Sequence, residues 1–555
     1  MMTKSKRLTL SSILIALLLS APFAQSRRPG GAITGRVMDE SGQPFPYAVV
    51  RVSPVNGSQN EERELATDEN GFFEARDLVS KAYRVVCYAP GYIEDKTDDA
   101  SVYHLTGSSI ALRLIKGGAI TGMVTDASGD PVVKARVVAI RLRDAEGRLT
   151  RSAEVYQRAE TDDRGVYRIY GLEAGSFLVA ATSGGMYEDA HITSQSPTYH
   201  PSSVRDGAQT VAVRFGEETA GIDIRLRGER GHAVSGRLSG AMKGDAYVRL
   251  IHAESGAVEA RAFFDNDSFA FYGVADGQYF VDAFTAIRED RSAASASRRI
   301  TVRGADVAGI ELNLTKLGSI AGRVMIEAAP KNKPPCKDAR AAKFEEMVVA
   351  VFRDTKTDAK DSPAFLSPDS RAGAADEKGG FSIDSLWPGR YRLKPIPINE
   401  NLFIRAVTMR AAAGLIDITR EGIAVKSGEQ IKGVTITLAE GAASLRGRVV
   451  PQDEKSKLPA RVHVHLLPTE KSDDPLRFFE TETQPDGSFA LTRIAPGRYL
   501  IYVRRDDQRE TIRPAAWGAE TRAALRRAAE SAGATIDLQS CQRVSDYALH
   551  YPMKK

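Results

Sequence analysis

The sequence predicts an all-β chain: a tandem array of five antiparallel β-sandwiches, with one helix inserted in the last. Three observations predict it. Five times an aromatic residue is followed ten positions later by another, as Phe73 and Tyr83, Tyr167 and Phe177, Phe269 and Tyr279, Phe381 and Tyr391, and Phe489 and Tyr499. Each pair is bridged by an aliphatic residue five after the first ring (Leu78, Leu172, Val274, Leu386, Ile494); in four copies a glycine stands three further on (Gly175, Gly277, Gly389, Gly497), with Lys81 in the first. Short apolar runs of period two alternate with clusters of Asp, Asn, Gly and Pro, the pattern of half-buried strands joined by tight turns. A unit repeated in this way is a module, and function must be argued at that level.

Every copy opens on a short strand signal, Ile33-Thr-Gly35-Arg-Val37, Ile120-Thr-Gly122-Met-Val124, Val234-Ser-Gly236-Arg-Leu238, Ile320-Ala-Gly322-Arg-Val324 and Leu445-Arg-Gly447-Arg-Val449. A glycine inside an apolar strand marks a backbone that is closely approached. A second strand follows, as in Ala48 to Val52, Ala135 to Ile140 and Ala460 to Leu466. The central hairpin turns (Asp68 to Gly71, Asp162 to Gly165, Asp376 to Gly379, Asp486-Gly487) use glycine for positive φ and Asp for local capping. In the third copy Asp267 replaces the turn glycine. The Leu386-Trp-Pro-Gly389-Arg-Tyr391 and Ile494-Ala-Pro-Gly497-Arg-Tyr499 segments have the spacing of a tyrosine corner, a buried ring whose hydroxyl returns to nearby backbone. Paired short strands close each copy, such as Ile300 to Gly304 with Ile310 to Leu314, and Ile423 to Val425 with Val434 to Leu438. The Ala-, Glu- and Arg-rich run 517–532 follows Pro514 and precedes Gly533, which predicts a helix covering the last sandwich.

Residues 1–26 read as a secretory signal: Lys4, Lys6 and Arg7, then an apolar Leu8 to Leu19, then Ala24-Gln25-Ser26. About 12 apolar residues fall short of the roughly 20 that span a bilayer, so no membrane anchor is expected after cleavage. Cleavage would lower the formal net charge from +5 to +2, with both signs interspersed, which predicts no nucleic-acid partner. Three cysteines cannot build a disulfide scaffold. Cys87 alternates with Tyr83 and Val85 on one strand face and reads as buried, whereas Cys336 and Cys541 lie in turn-like segments and could pair in an oxidising compartment.

The succession Gly-x-Ile-x-Gly-x-Val, Asp-x-x-Gly-x-Phe, Leu-x-Pro-Gly-x-Tyr resembles the carboxypeptidase regulatory-like domain family. The resemblance implies an immunoglobulin-like or prealbumin-like sandwich, related to carbohydrate-binding and collagen-adhesin modules, and it implies no catalysis. It also invites a search for the zinc peptidase that such domains accompany. None of the eight histidines has Glu three residues later, the pair that chemistry needs. No Gly-x-Ser-x-Gly elbow, Walker loop or dinucleotide fingerprint occurs. Adhesin modules often link a Lys to Asn or Asp, but the outward positions of the opening strands hold Arg36, Met123, Arg237, Arg323 and Arg448.

No catalytic, cofactor or metal residue is therefore expected, and no cofactor. Alternation puts His463 and His465 on a solvent face, where they could chelate a metal without a visible third ligand; Asp162-Asp163 and Asp265-Asn-Asp267 read as turn formers. Trp387, Tyr199 and His200 are the candidate ligand contacts, since related sandwiches stack sugars on exposed rings, though Trp387 packing on its own loop is the plainer reading. Tyr187 is similarly ambiguous. The ten aromatic residues of the pairs are structural. The division expected is signal 1–26 and sandwiches 27–115, 116–227, 228–315, 316–440 and 441–555. The functional expectation is an exported, non-enzymatic binding or spacer protein of the bacterial envelope, secreted, periplasmic or at the cell surface. Its partner, an envelope protein or polysaccharide, would meet loops such as Asp354 to Lys378. The alternatives are a carbohydrate-binding protein and an accessory subunit of an envelope peptidase or transporter.

Overall fold

The structure is a computed structural model that describes residues 31–551 apart from segments 56–60, 96–102, 148–155, 184–194, 241–245, 286–291, 328–335, 337–340, 355–369, 452–461 and 506–515 and positions 80, 146, 255–257, 266, 413, 485, 517 and 533. Residues 1–26, expected from sequence to be a signal, and Tyr187, Trp517 and Gly533 thus lie outside the described residues.

In the first copy the opening strand Gly31–Met38 lies between Phe72–Leu78, antiparallel, and Ser109–Lys116, parallel, with Tyr92–Glu94 beyond. A second sheet runs Arg63–Ala66, Val49–Pro54, Ala82–Tyr88, Tyr103–Leu105. The plan recurs along the chain, and the third copy varies it: Ala293–Ala294 bridges Gly277–Thr285 and Val307–Lys316, joining both halves into one sheet. The parallel pairing of first and last strands departs from a purely antiparallel sandwich. It has a topological consequence, because a chain that enters and leaves in one direction exits at the end opposite its entry. Three of the four junctions between copies therefore need almost no linker, and the second, between Arg225 and His232, uses six residues. Gly117 alone joins Lys116 to the next strand, Leu317 alone joins Lys316 to Gly318, and Gly441-Ala442 join Glu440 to Ala443.

The opening-strand glycine is explained by that parallel neighbour. A Cβ on Gly35 would lie 2.4 Å from the Ile110 carbonyl oxygen, and those on Gly122, Gly236, Gly322 and Gly447 would lie 2.0 to 2.3 Å from the carbonyl oxygens of Ile222, Ile310, Val434 and Tyr547. A side chain at this position would displace the strand.

The residue before each bridging aliphatic has positive φ: Asp77 57°, Gly171 70°, Gly273 69°, Ser385 61° and Arg493 59°. The register against the opening strand slips at the same place, so each is a β-bulge. The bulge bends the strand toward the preceding copy. A Cβ on Gly117 would meet Gly171 at 2.8 Å, one on Gly231 would meet Gly273 at 2.3 Å, the Ser385 hydroxyl donates to Ser292 Oγ at 2.9 Å, and Arg493 Nη2 donates to the Ile398 carbonyl at 3.4 Å.

All ten rings of the aromatic pairs are buried. Four tyrosines form the corner: the hydroxyls of Tyr83, Tyr279, Tyr391 and Tyr499 donate to the carbonyls four residues earlier, at Val79 (3.2 Å), Ala275 (3.0 Å), Trp387 (2.9 Å) and Ala495 (2.6 Å). Phe177 occupies the corner of the second copy, where the Tyr167 hydroxyl instead donates to Ile222 at 2.5 Å. The rings belong to separate apolar cores, one per copy, around Ile33, Ile120, Val234, Ile320 and Leu445.

The outer face of the second sheet is where copies diverge. In the fourth, Met347–Arg353 is apolar through Phe352 because alternate residues serve two cores: Met347, Val349 and Val351 face inward, while Val348 and Ala350 face out. Val348, Ala350, Ala374 and Ile396 pack against Ala82, Val55, Tyr103 and Leu105 of the first copy, so the chain folds back and joins two sandwiches sheet to sheet. A linear spacer would leave these faces in water. In the second copy the outer face is covered by its own Tyr199 and Ala208, and in the fifth by α1 (Ala519–Ala532) through Leu525 and Ala529 on Leu467 and Leu500. Cys336 and Cys541 form a disulfide, Cα to Cα 5.3 Å, that ties the fourth copy to the fifth; Cys87 is free and buried.

Candidate functional site

Trp387, the first candidate, follows the Ser385 bulge, so its ring turns into the junction with the third copy. It packs with Ala294, Leu317 and Phe284 and is 8% exposed, leaving no open face for a sugar ring. Tyr199 is 3% exposed among Ile140, Leu178 and Ala180. Its hydroxyl accepts from Arg205 Nη1 at 3.0 Å, and that guanidinium also lies over the ring. His200 points the other way, its Nδ1 2.6 Å from the Asp223 carbonyl oxygen. The three residues therefore occupy separate environments, and two of them hold the fold together. The proposed contact loop also changes character: Asp354 is buried and paired with Arg392 at 2.9 Å, and Ser370–Ala374 is a strand on the second sheet.

The acidic turns do what turn chemistry requires. Asp68, Asp162 and Asp376 each accept two backbone N–H groups, from the residues two and four further on, with one carboxylate oxygen. Arg164 beside Asp162 holds that carboxyl below its ordinary range. Among the described residues no group of three or more His, Cys, Asp and Glu side chains is placed to hold a metal ion.

His463 and His465 do not lie on a solvent face. His465 is 2% exposed and His463 partly buried, because Phe478, from the turn before strand Phe479–Glu482, together with Ala516 and Leu525 of the inserted segment, roofs this side of the sheet. The rings stack 6.0 Å apart, and Glu480 of the neighbouring strand Phe479–Glu482 lies 3.6 Å from His463 Nδ1 and 3.9 Å from His465 Nδ1. His465 Nε2 is buried without a hydrogen-bond partner. Burial foremost, with help from Arg504 and His463, holds the His465 pKa down to about 3. The missed signal was Leu467, an apolar residue in the outward register, which needed a cover.

Other buried charges are also structural. Arg249 forks Asp282 with two 3.0 Å bonds and stacks over Phe284. Glu346 accepts from Asn399 Nδ2 at 2.9 Å. These groups sit singly or in pairs in different copies and do not converge on a common cleft.

Comparison with known proteins agrees with this geometry. Residues 32–112 and 119–227 match the carboxypeptidase regulatory-like domain, and residues 443–509 match the BOS complex subunit NOMO1-like second beta sandwich domain. No curated protein matches. Among solved structures, the Bacillus anthracis TIE protein aligns at 13% identity over 51% of this chain and 51% of its own, TM-score 0.14; the chain thus spans about half of that relative. GBS52, the minor pilin of Streptococcus agalactiae, aligns at 11% identity over 36% of this chain and 98% of its own, TM-score 0.20. The shaft pilin SpaA of Lactobacillus rhamnosus GG aligns at 11% identity over 35% of this chain and 95% of its own, TM-score 0.16. With the opening glycine, the capped hairpin and the buried corner ring all in place, the first two copies, residues 32–112 and 119–227, carry the carboxypeptidase regulatory-like domain.

Proposed function

We propose that the chain is an exported, non-enzymatic scaffold of the bacterial cell envelope: five sandwiches, 27–115, 116–227, 228–315, 316–440 and 441–555, packed into a stiff body that presents its outer loops to an envelope protein. The observation that carries this reading is the fold-back of the first copy onto the fourth, with Ala82 and Val348 fully buried. A flexible spacer gains nothing from such a contact, whereas a docking platform gains fixed geometry. The Cys336–Cys541 disulfide supports export, because such bonds persist outside the reducing cytoplasm. Among the described residues no helix is long and apolar enough to cross a membrane.

The test is crosslinking in whole envelopes followed by affinity recovery of the tagged chain. The reading predicts a recurrent envelope protein partner that is lost when the outer loops are replaced. Retention on polysaccharide gels with no protein partner would favour the carbohydrate-binding alternative instead. Turnover of a peptide or glycan substrate by the purified chain would overturn the non-enzymatic part.

A further inference from the structure

We propose that α1 is an acid-released cover: protonation of His465 undocks Ala519–Ala532 from the fifth copy and bares the apolar face formed by Leu467 and Leu500. The proposal stands on what surrounds the imidazole and does not depend on the scaffold reading. On its own strand Val462–Pro468, His465 stacks on His463. From Phe479–Glu482, Glu480 faces both rings, and Glu482 lies opposite His463. From Gly497–Arg505, Tyr502 lies opposite His465 and Arg504 opposite His463. From above come Phe478, Ala516 and Leu525, all without charge.

Two of the helix's cations, Arg522 and Arg526, lie over the Phe478 ring and bond to groups away from the imidazole. Arg522 forks Asp473 at 2.6 and 2.7 Å and donates to the Ala516 carbonyl, and Arg526 donates to the carbonyls of Pro468 and Ser472. A proton on His465 would therefore create a buried cation next to Arg504 and His463, with Glu480 as the nearby carboxylate and no acceptor at Nε2. Water relieves that imbalance only if the roof lifts. Beyond these Arg522 and Arg526 contacts the helix is anchored by Leu525 and Ala529, and a helix of 14 residues is marginal once undocked.

The sign follows from linkage. The imidazole titrates near its ordinary 6.5 when exposed and at about 3 when covered, so the docked state keeps its full stability above about pH 6.5 and loses it as pH falls toward 3. At pH 4.5 the opening constant should be about a hundredfold larger than at pH 7.5. Asp473, held below its ordinary range by Arg522, adds a second loss of the same sign at lower pH, starting near its ordinary 3.8.

Hydrogen exchange of peptide 519–532 in the full chain, corrected for intrinsic rates, tests this between pH 7.5 and 4.5. The expected result is an opening constant that rises about a hundredfold while strand Ser488–Ile494 keeps its protection, and a flat profile in His465→Gln. A flat wild-type profile, or an unchanged rise in His465→Gln, would overturn the proposal. If that variant does not fold, the imidazole is titrated by NMR in the wild type: a pKa below about 5.5 supports the proposal and one above it overturns it.

Discussion

Tyr499 shows how the repeat is held at the scale of single side chains. Its hydroxyl donates to Ala495 and accepts from Arg477 Nε at 3.0 Å in a fully buried site, whereas Tyr83 makes one longer bond. Tyr499→Phe should cost about 1–3 kcal/mol, and Tyr83→Phe about half as much, by urea denaturation. Both variants should still fold, since the second copy already has Phe177 in the corner. Asp282→Ala should be worse, about 3–5 kcal/mol, because it removes the carboxylate that neutralises the buried Arg249 guanidinium. The burial of the ten rings was legible from spacing alone. The roofing of His465 was not, because alternation specifies which face a residue takes but not what covers that face.

Among elements, the opening strand is the most constrained, since a parallel neighbour and a core ring both press on its glycine. A Cβ on Gly322 would lie 2.3 Å from the Val434 carbonyl oxygen and 2.7 Å from the Phe381 ring. Gly322→Ala should therefore destabilise the fourth copy by more than about 2 kcal/mol, read as an earlier urea transition, whereas Gly304→Ala, in a turn with nothing within 4 Å, loses only the cost of its positive φ. Strand positions, hairpin turns and the helix could be read from period-two alternation and capping residues. The parallel pairing of first and last strands could not, because it depends on register between segments some 70 or more residues apart. Met347 to Phe352 carried a readable warning: an unbroken apolar run in an antiparallel sandwich means a strand buried on both faces.

At the scale of the whole molecule, two long-range ties turn a tandem sequence into a body. The first, Cys336–Cys541, spans 205 residues. Non-reducing digestion of the purified chain should yield the linked peptide, and Cys336→Ser should cost about 2–5 kcal/mol while leaving the Cys87 thiol buried and unreactive. The second tie is the sheet-to-sheet contact of the first and fourth copies, invisible in sequence because each face is merely apolar until its partner is known. Small-angle X-ray scattering of the purified chain tests it most directly. Five copies folded back in this way should give a radius of gyration of about 33 Å, against about 50 Å for the same copies in line. Ala350→Arg, which drives a charge into the contact, should move the value toward the larger figure. A wild-type value near 50 Å, unchanged by Ala350→Arg, would contradict the fold-back and the scaffold built on it.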